Sequence, residues 1–234
     1  MKNQWKRIFS AGIILVTFAT SAVNPLLEKL NRKQSAIDEK KLEQLGDMNK
    51  LELLAANPLG KDTILIKKMQ LKQGNALFKE YDRLNQGKNP RDKVTVEKYR
   101  NGEVLLITIP SSMLFLPNET ELRSNASKYL SPVARFPRNP DMYWIILDMH
   151  TDNTGSKEYT DSIALSRVDA IYDWYDNGGH DTRFVFPTAS GSSEPLPGNK
   201  NLSMLERARN RRLEIYLVPG YKMLEQAKKG RISF

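Results

Sequence analysis

The apolar run WIILDM, which starts at Trp144, is followed by the polar residues HTDNTG and then by a long stretch with helical periodicity. A short continuous apolar run bounded by turn residues is typical of a buried strand. From Lys157 to Tyr175 apolar side chains recur at mostly three- and four-residue spacing, and the glycines that follow supply a helix stop. The pattern predicts a strand, a loop and a helix, with Asp152 in the loop and Arg167 near the middle of the helix.

The rest of the chain after Val94 also alternates between strand and helix patterns. In order, the segments are VEKYR and EVLLITIP as a strand or hairpin, LRSNASKYLSPVARF as a helix, WIILDM as a strand, the helix from Lys157, RFVFPT as a strand, a helix from about Leu202 and RLEIYLV as the last strand. This order predicts an α/β sandwich in which the helices pack on one mixed sheet.

The N-terminus has the pattern of a segment that enters a membrane. Lys2, Lys6 and Arg7 precede an uncharged apolar stretch from Ile8 to Val23. This stretch is shorter than the roughly twenty residues that span a bilayer, and ATSAV offers the small residues of a signal peptidase site. Residues 1–24 are therefore predicted to be either a cleaved signal peptide or an uncleaved membrane anchor. Both place the rest of the chain in the periplasm or cell envelope.

Residues 25–93 differ in composition from the predicted domain that follows. They are rich in Lys, Glu, Gln, Asn and Leu, with apolar positions at irregular helical spacing, and they end in the polar segment NQGKNPRDK. The segment predicts a helical stalk with a linker, which leaves a homo-oligomer through the stalk open. The folded domain is expected at 94–219, followed by a basic C-terminal tail at 220–234.

Composition limits the chemistry of the chain. The 234 residues include no cysteine, which excludes disulfides, thiolate catalysis and Cys-ligated zinc. The formal net charge is +9, but Lys and Arg are spread along the chain, which favours a solvated basic surface over a nucleic-acid footprint. No GxSxG, P-loop or Gly-rich dinucleotide turn is present. We therefore expect no nucleic-acid partner, no cofactor and no enzymatic activity.

A metal-dependent hydrolase is the enzyme that the residues come nearest to. His150, Asp152 and His180 would be its ligands. The two histidines lie thirty residues apart and lack the helical spacing of zinc hydrolases, and no third strong ligand follows at a recognisable distance. We expect His150 to pack at the strand end, His180 to lie in the GGH turn, and no metal to be bound.

Four motifs in order resemble one known family. They are HTDNTGS from His150, Arg167 fifteen positions after Asp152, SGSSEPLPGN from Ser190, and ERARNRRLEI from Glu206. Together they resemble the OmpA-like peptidoglycan-binding domain, which is shared by outer membrane protein A, the flagellar stator B subunit and peptidoglycan-associated lipoprotein. The resemblance covers about Val94 to Pro219 and implies a β-α-β-α-β-(α)-β sandwich.

The resemblance implies noncovalent binding of the peptide stem of peptidoglycan, with the free end of its diaminopimelate in the site. That end carries an ammonium beside a carboxylate, so the site needs one acid and one base held close together, and arginine grips a carboxylate through two parallel hydrogen bonds. By resemblance Asp152 and Arg167 have these roles. Arg211 would line the site, and Thr151 and Asn153 would shape its loop.

Other positions near the motifs have expected roles or depart from the family pattern. Asn210 is expected to hold local backbone through side-chain hydrogen bonds. Family members usually carry glycine at Met149, asparagine at Thr160 and an acidic or polar residue at Leu116. Thr160 can still donate one hydrogen bond to a ligand, whereas Leu116 cannot. These departures leave a weaker or altered ligand open.

The alternative to a wall-binding protein is an inner-membrane-anchored tether or scaffold subunit of an envelope-spanning machine, with weakened or lost peptidoglycan binding. An ion-driven motor subunit needs an ionisable side chain within its membrane span. The stretch from Ile8 to Val23 has none. The sequence therefore disfavours a motor subunit. Two locations stay open: association with the outer membrane or anchorage in the inner membrane.

Overall fold

The computed structural model of the protein describes residues 39–57, 63–139 and 141–233. Contacts divide the chain after Lys41, and the larger unit runs from Leu42 to Phe234. The predicted signal or anchor, Ile8 to Val23, lies outside the described residues. Across the part that is described, no helix is both long enough and apolar enough to cross a bilayer.

Five strands form one mixed sheet. They are β1 (Thr95–Tyr99), β2 (Val104–Pro110), β3 (Tyr143–His150), β4 (Val185–Gly191) and β5 (Arg212–Pro219), in the spatial order β1-β2-β5-β3-β4. The pairing of β3 with β4 is parallel, and the other pairings are antiparallel. The predicted mixed α/β architecture is confirmed, and β3 and β5 are buried along their whole length.

The described residues contain a helical segment at 39–46 and six further α-helices. The six are α1 (Lys50–Ala56), α2 (Thr63–Asn85), α3 (Ser127–Leu130), α4 (Lys157–Asn177), α5 (Met204–Asn210) and α6 (Tyr221–Lys228). The polar residues that precede helices explain where three of them begin. Ser156 caps α4, while Asn49 and Ser203 form capping boxes with Glu52 and Glu206 at α1 and α5.

Both faces of the sheet are buried because successive side chains of a strand point to opposite sides. One face carries the main core, in which Ile145 and Leu147 of β3 pack with apolar residues of α2, α4 and α6. The other face carries Trp144 and Ile146, which pack with Leu53 of α1 and with neighbours from the other strands. The chain therefore covers the sheet with long helices on one side and with the N-terminal segment on the other.

The compact unit begins well before Val94, where the sequence places the start of the domain. Ile66, Leu77 and Tyr81 of α2 are buried in the main core, and the Tyr81 hydroxyl donates to the backbone oxygen of Tyr129. Residues 63–85 are therefore part of the domain rather than a free stalk. The sequence pattern was misleading because a helix that packs on a sheet and a helix that packs in a stalk share the same periodicity.

Two further segments differ from the sequence prediction. The expected helix from Leu122 is reduced to the single turn of α3, flanked by other turns. The expected basic tail after Pro219 contains α6, whose Met223 and Ala227 are buried in the main core. In both segments the conformation depends on packing against distant parts of the chain, which the periodicity of a single sequence does not predict.

Candidate functional site

The loop that follows β3 is held by backbone hydrogen bonds on both sides of Asp152. The backbone nitrogen of Thr151 donates to the backbone oxygen of Gly191 (2.8 Å), which continues the pairing of β3 with β4. The nitrogen of Thr154 donates to Oδ1 of Asp152 (2.8 Å). The carboxylate of Asp152 is thus oriented by its own loop, as is common for aspartate in turns.

The second carboxylate oxygen of Asp152 pairs with an arginine from a distant part of the chain. Arg211, the residue between α5 and β5, donates from Nη1 to Oδ2 of Asp152. The side chain of Arg211 is 43% exposed, whereas that of Asp152 is 8% exposed. Burial opposes ionisation of Asp152, but the bonds from Thr154 and Arg211 outweigh it and lower the pKa of this carboxyl group.

Arg167 of α4 is buried and bonded only to neutral oxygens. Nε donates to the backbone oxygen of Glu119 (2.8 Å), Nη1 to the hydroxyl of Ser111 (3.2 Å) and Nη2 to the backbone oxygen of Leu116 (3.3 Å). The guanidinium also lies over the ring of Phe115, 4.9 Å from its centroid. The side chain thereby joins α4 to the segment that follows β2.

The part of the chain that the structure describes offers the charge of Arg167 no counter-ion in direct contact. Among the described residues no carboxylate oxygen lies within 4.0 Å of its nitrogens. Burial lowers the pKa of Arg167, and the nearby charges of Arg211 and Asp152 act on it in opposite directions. The structure thus brings Asp152 and Arg211 into direct contact, and the charges of both act on the pKa of Arg167.

The smaller polar residues around this site have different environments. Thr160 is buried, and its hydroxyl donates to the backbone oxygen of Lys157 (2.9 Å) and lies 3.1 Å from the hydroxyl of Ser192. Asn153 is exposed in the loop. The hydroxyl of Thr151 is buried and has no protein hydrogen-bond partner. Thr160 therefore ties α4 to the loop after β4, whereas Thr151 and Asn153 lie beside Asp152 in the chain.

Comparison with known proteins gives relatives of the kind that the motifs resemble. No family profile matches the chain. The proposed lipoprotein YfiB of Escherichia coli K12 is 26% identical over 110 residues, which are 47% of this chain and 68% of that protein. A MotB-like protein from Desulfovibrio vulgaris is 21% identical, with 64% of this chain and 96% of that chain covered and a TM-score of 0.49.

The cell wall anchor of the T6SS from Pseudomonas aeruginosa, whose structure is solved, is also 21% identical in sequence to this chain. The match covers 62% of this chain and 95% of that chain, with a TM-score of 0.49. OmpA-like and peptidoglycan-associated lipoprotein domains are further matches.

The three positions that depart from the pattern of the resembled family, Met149, Leu116 and Thr160, lie in different environments. Met149 is fully buried in the main core, on the face of β3 that packs against the helices, so it leaves the loop contacts intact. Leu116 is 51% exposed, and its backbone oxygen accepts from Arg167, so its side chain lies at the edge of the site. Thr160 already uses its hydroxyl within the protein.

The asparagine and the second arginine of the NRR sequence, Asn210 and Arg212, have separate roles. Asn210 accepts from the nitrogen of Leu196 and donates to the side chain of Asn201, which confirms that it holds local backbone. Arg212 does not face solvent. It is buried against Glu214, to which its Nε donates (2.7 Å), because the second face of the sheet is covered.

The alternative metal set, His150, Asp152 and His180, is not assembled. His180 packs beside Trp174 and Tyr175, whereas His150 is buried on the second face of the sheet. Within residues 39–57, 63–139 and 141–233, one trio of histidine and carboxylate side chains has ligand atoms mutually within 4.8 Å, namely Asp148, His150 and Glu214.

This trio already has cationic partners within the protein. Lys50 of α1 lies 2.7 Å from Oδ2 of Asp148, and Arg212 pairs with Glu214. We therefore interpret the trio as part of an ion network. The sequence analysis missed it, although the acidic and basic positions of LDMH and RRLE repeat every second residue, which places them on one face of adjacent strands.

Proposed function

We propose that the protein binds peptidoglycan noncovalently, through the free end of diaminopimelate in the stem peptide, and so attaches the envelope to the cell wall. The observation that carries the proposal is the buried guanidinium of Arg167, which among the described residues has only neutral hydrogen-bond partners, while the charge of Asp152 acts on its pKa. A buried cation without a counter-ion favours an anionic ligand, since burial of an unpaired charge is costly.

The chemistry of the ligand matches the three charges. The carboxylate of a diaminopimelate end would take the remaining N–H donors of Arg167, and its ammonium would take an oxygen of Asp152. Arg211 is half-exposed and already contacts Asp152, so it can move toward a second carboxylate of the stem. Such binding makes and breaks no covalent bond, and we infer a binding module without enzymatic activity.

An inner-membrane-anchored tether or scaffold subunit with weakened wall binding is the second candidate. The exposed side chain of Leu116 at the edge of the site and the internal bonds of Thr160 favour it, because both remove polar contacts that a ligand would use. The protein would act in the periplasm in either case. The membrane anchor, the outer-membrane association and the homo-oligomer stay predictions, and N-terminal sequencing of the mature protein would separate a cleaved from an anchored form.

The test of wall binding is a pull-down of the full chain, in nonionic detergent, with purified sacculi. Asp152→Asn keeps an oxygen for the nitrogen of Thr154 but removes the charge, so the fold is retained and the affinity falls roughly tenfold or more, as expected for a charged hydrogen bond of about 1.5–3 kcal/mol. Asp82→Asn, at an exposed carboxylate of α2, is the matched control and should bind as the wild type does.

Two further conditions separate a specific site from attraction of a basic protein to a polyanion. Specific binding should persist at moderate salt, and free meso-diaminopimelate should compete with it. Nonspecific binding should fall steeply with salt and be insensitive to Asp152→Asn. Equal binding by wild type and Asp152→Asn would show that the site assignment is wrong.

A further inference from the structure

The second face of the sheet carries a buried group of charged side chains, which we call the buried ion network. Such groups are rarely buried unless paired, so their placement needs an explanation. All but one of its side chains are almost fully buried, and Glu194 is half-exposed. The members of the network are Lys50, Asp148, His150, Glu194, Arg212 and Glu214.

The centre of the network is the imidazole of His150. Its Nε2 lies 3.0 Å from Oδ2 of Asp148 and 3.2 Å from Oε2 of Glu214. Arg212 donates from Nε to the other oxygen of Glu214, and the hydroxyl of Tyr216 donates to Oε2. Burial lowers the pKa of His150, but the two carboxylates outweigh burial and raise it. The Nε2 atom of His150 therefore lies between a carboxylate of β3 and a carboxylate of β5.

Helix α1 contributes one residue, Lys50, to this network. Its Nζ lies 2.7 Å from Oδ2 of Asp148 and also pairs with Glu194, in the loop after β4. The network then contains three carboxylates, two permanent cations and His150, so its charge is balanced when His150 is protonated. Without Lys50 the buried ion network would have more carboxylates than cations, and an uncompensated negative charge in the protein interior is strongly unfavourable.

The network lies directly behind the candidate site. His150 and Arg212 are paired residues of β3 and β5. Asp152 follows His150 by two positions and Arg211 precedes Arg212, so the ion pair of Asp152 with Arg211 extends from the same two strand ends. The backbone oxygen of Glu194 also accepts from Arg212. A change in the network therefore acts on the backbone that carries both charges.

The helix that carries Lys50 has few other polar attachments. Leu53 and Leu54 pack on the second face of the sheet, Arg100 donates to the backbone oxygen of Leu54, and Asn57 donates to that of Pro219. None of these contacts reaches the strand ends at Asp152 and Arg211. Lys50 is thus the residue of α1 through which the docking of this helix on the sheet can affect the strand ends at Asp152 and Arg211.

We propose that Lys50 is a positioning residue for the ligand site: docking of α1 on the sheet holds the strand ends in the geometry that lets Asp152 and Arg211 bind the wall. The inference rests on the proposed function. It makes residues 42–57 a regulatory element, because whatever draws this segment off the sheet lowers the affinity for peptidoglycan. By reciprocity, ligand binding holds α1 on the sheet more firmly.

The first test compares Lys50→Met with Lys50→Arg in the full chain in nonionic detergent. Binding of meso-diaminopimelate and of sacculi should weaken about tenfold in Lys50→Met, within the range typical of coupling between sites, and should be largely restored in Lys50→Arg, which keeps the charge. Lys68→Met, at an exposed lysine of α2, is the matched control and should bind as the wild type does.

The second test uses the two histidines of the chain as reporters. When meso-diaminopimelate is added to the wild type, the imidazole NMR signals of His150 should shift, although His150 is buried behind the site, and those of His180 should not. Amide exchange in α1 should slow by the same factor by which Lys50→Met weakens binding. A side chain that only stabilises the fold would produce neither effect.

The outcomes separate this inference from the proposed function. If the wild type binds sacculi and Lys50→Met binds equally well, the role of Lys50 is refuted and wall binding stands. If the wild type itself fails to bind, the proposed function is refuted. If Lys50→Met does not fold, the wild-type titration decides: an unmoved His150 signal with saturated ligand refutes the coupling, and a shifted signal supports it.

Discussion

Replacement of Arg167 by lysine keeps the positive charge of the site but removes the geometry of the guanidinium. Three nitrogens of Arg167 donate to three oxygens in the segment between Ser111 and Glu119, and the plane lies over the ring of Phe115. One ammonium on a flexible chain cannot reach all three oxygens or cover the ring in the same way. Arg167→Lys should therefore perturb folding as well as binding.

The magnitude follows from the interactions that lysine cannot make. A typical hydrogen bond contributes about 0.5–1.5 kcal/mol net, and the cation–ring interaction contributes about 0.5–1 kcal/mol. Because lysine would forgo two of the bonds and the ring interaction, the free energy of unfolding should fall by about 2–3 kcal/mol. For a unit of this size each kcal/mol lowers Tm by about 2–4 °C, so Tm should fall by about 5–10 °C. The variant should still be folded at 25 °C, since domains are stable by about 5–15 kcal/mol.

The assay is thermal unfolding followed by circular dichroism, together with titration of meso-diaminopimelate at 25 °C. Arg209→Lys, at an exposed arginine of α5, is the matched control and should leave both Tm and affinity unchanged. The affinity of Arg167→Lys should fall about tenfold, because lysine lacks the bidentate contact. An unchanged Tm would show that the bonds to Glu119, Ser111 and Leu116 contribute nothing beyond what water supplies, and the structural part of the reasoning would be wrong.

Three further predictions concern stability. A Cβ on Gly220 would lie 2.1 Å from the backbone oxygen of Asp141, so Gly220→Ala should cost about 3 kcal/mol in chemical denaturation; a change below about 0.5 kcal/mol would contradict the packing. Ser203→Ala removes the side-chain cap of α5 and should cost about 0.5–2 kcal/mol by the same assay; an unchanged stability would show that the cap contributes nothing. The pKa of His150 is raised in the folded state, so its contribution to stability is complete below about pH 6.5 and is lost as the pH rises through the folded pKa. The free energy of unfolding in urea should therefore fall over that pH range, and His150→Gln should reduce its dependence on pH.

Local sequence patterns were sufficient for the elements that form the centre of the fold. The run WIILDM became β3, the periodic stretch from Lys157 became α4, and RLEIYLV became most of β5, at nearly the predicted bounds. Periodicity works here because a strand or helix buries the same face in whatever fold it joins. It failed at Leu122, where the chain makes turns instead of a long helix.

The sequence by itself determined which charges to look for, since the motifs resemble a known family and that resemblance implies roles for Asp152, Arg167 and Arg211. Only the tertiary structure decided what each charge contacts. Arg167 bonds to neutral oxygens near Leu116, and Lys50 reaches Asp148 across nearly a hundred residues of chain. A long charged side chain has no periodicity that reports its partner, because the partner depends on which distant elements pack together, and that packing is a property of the whole core.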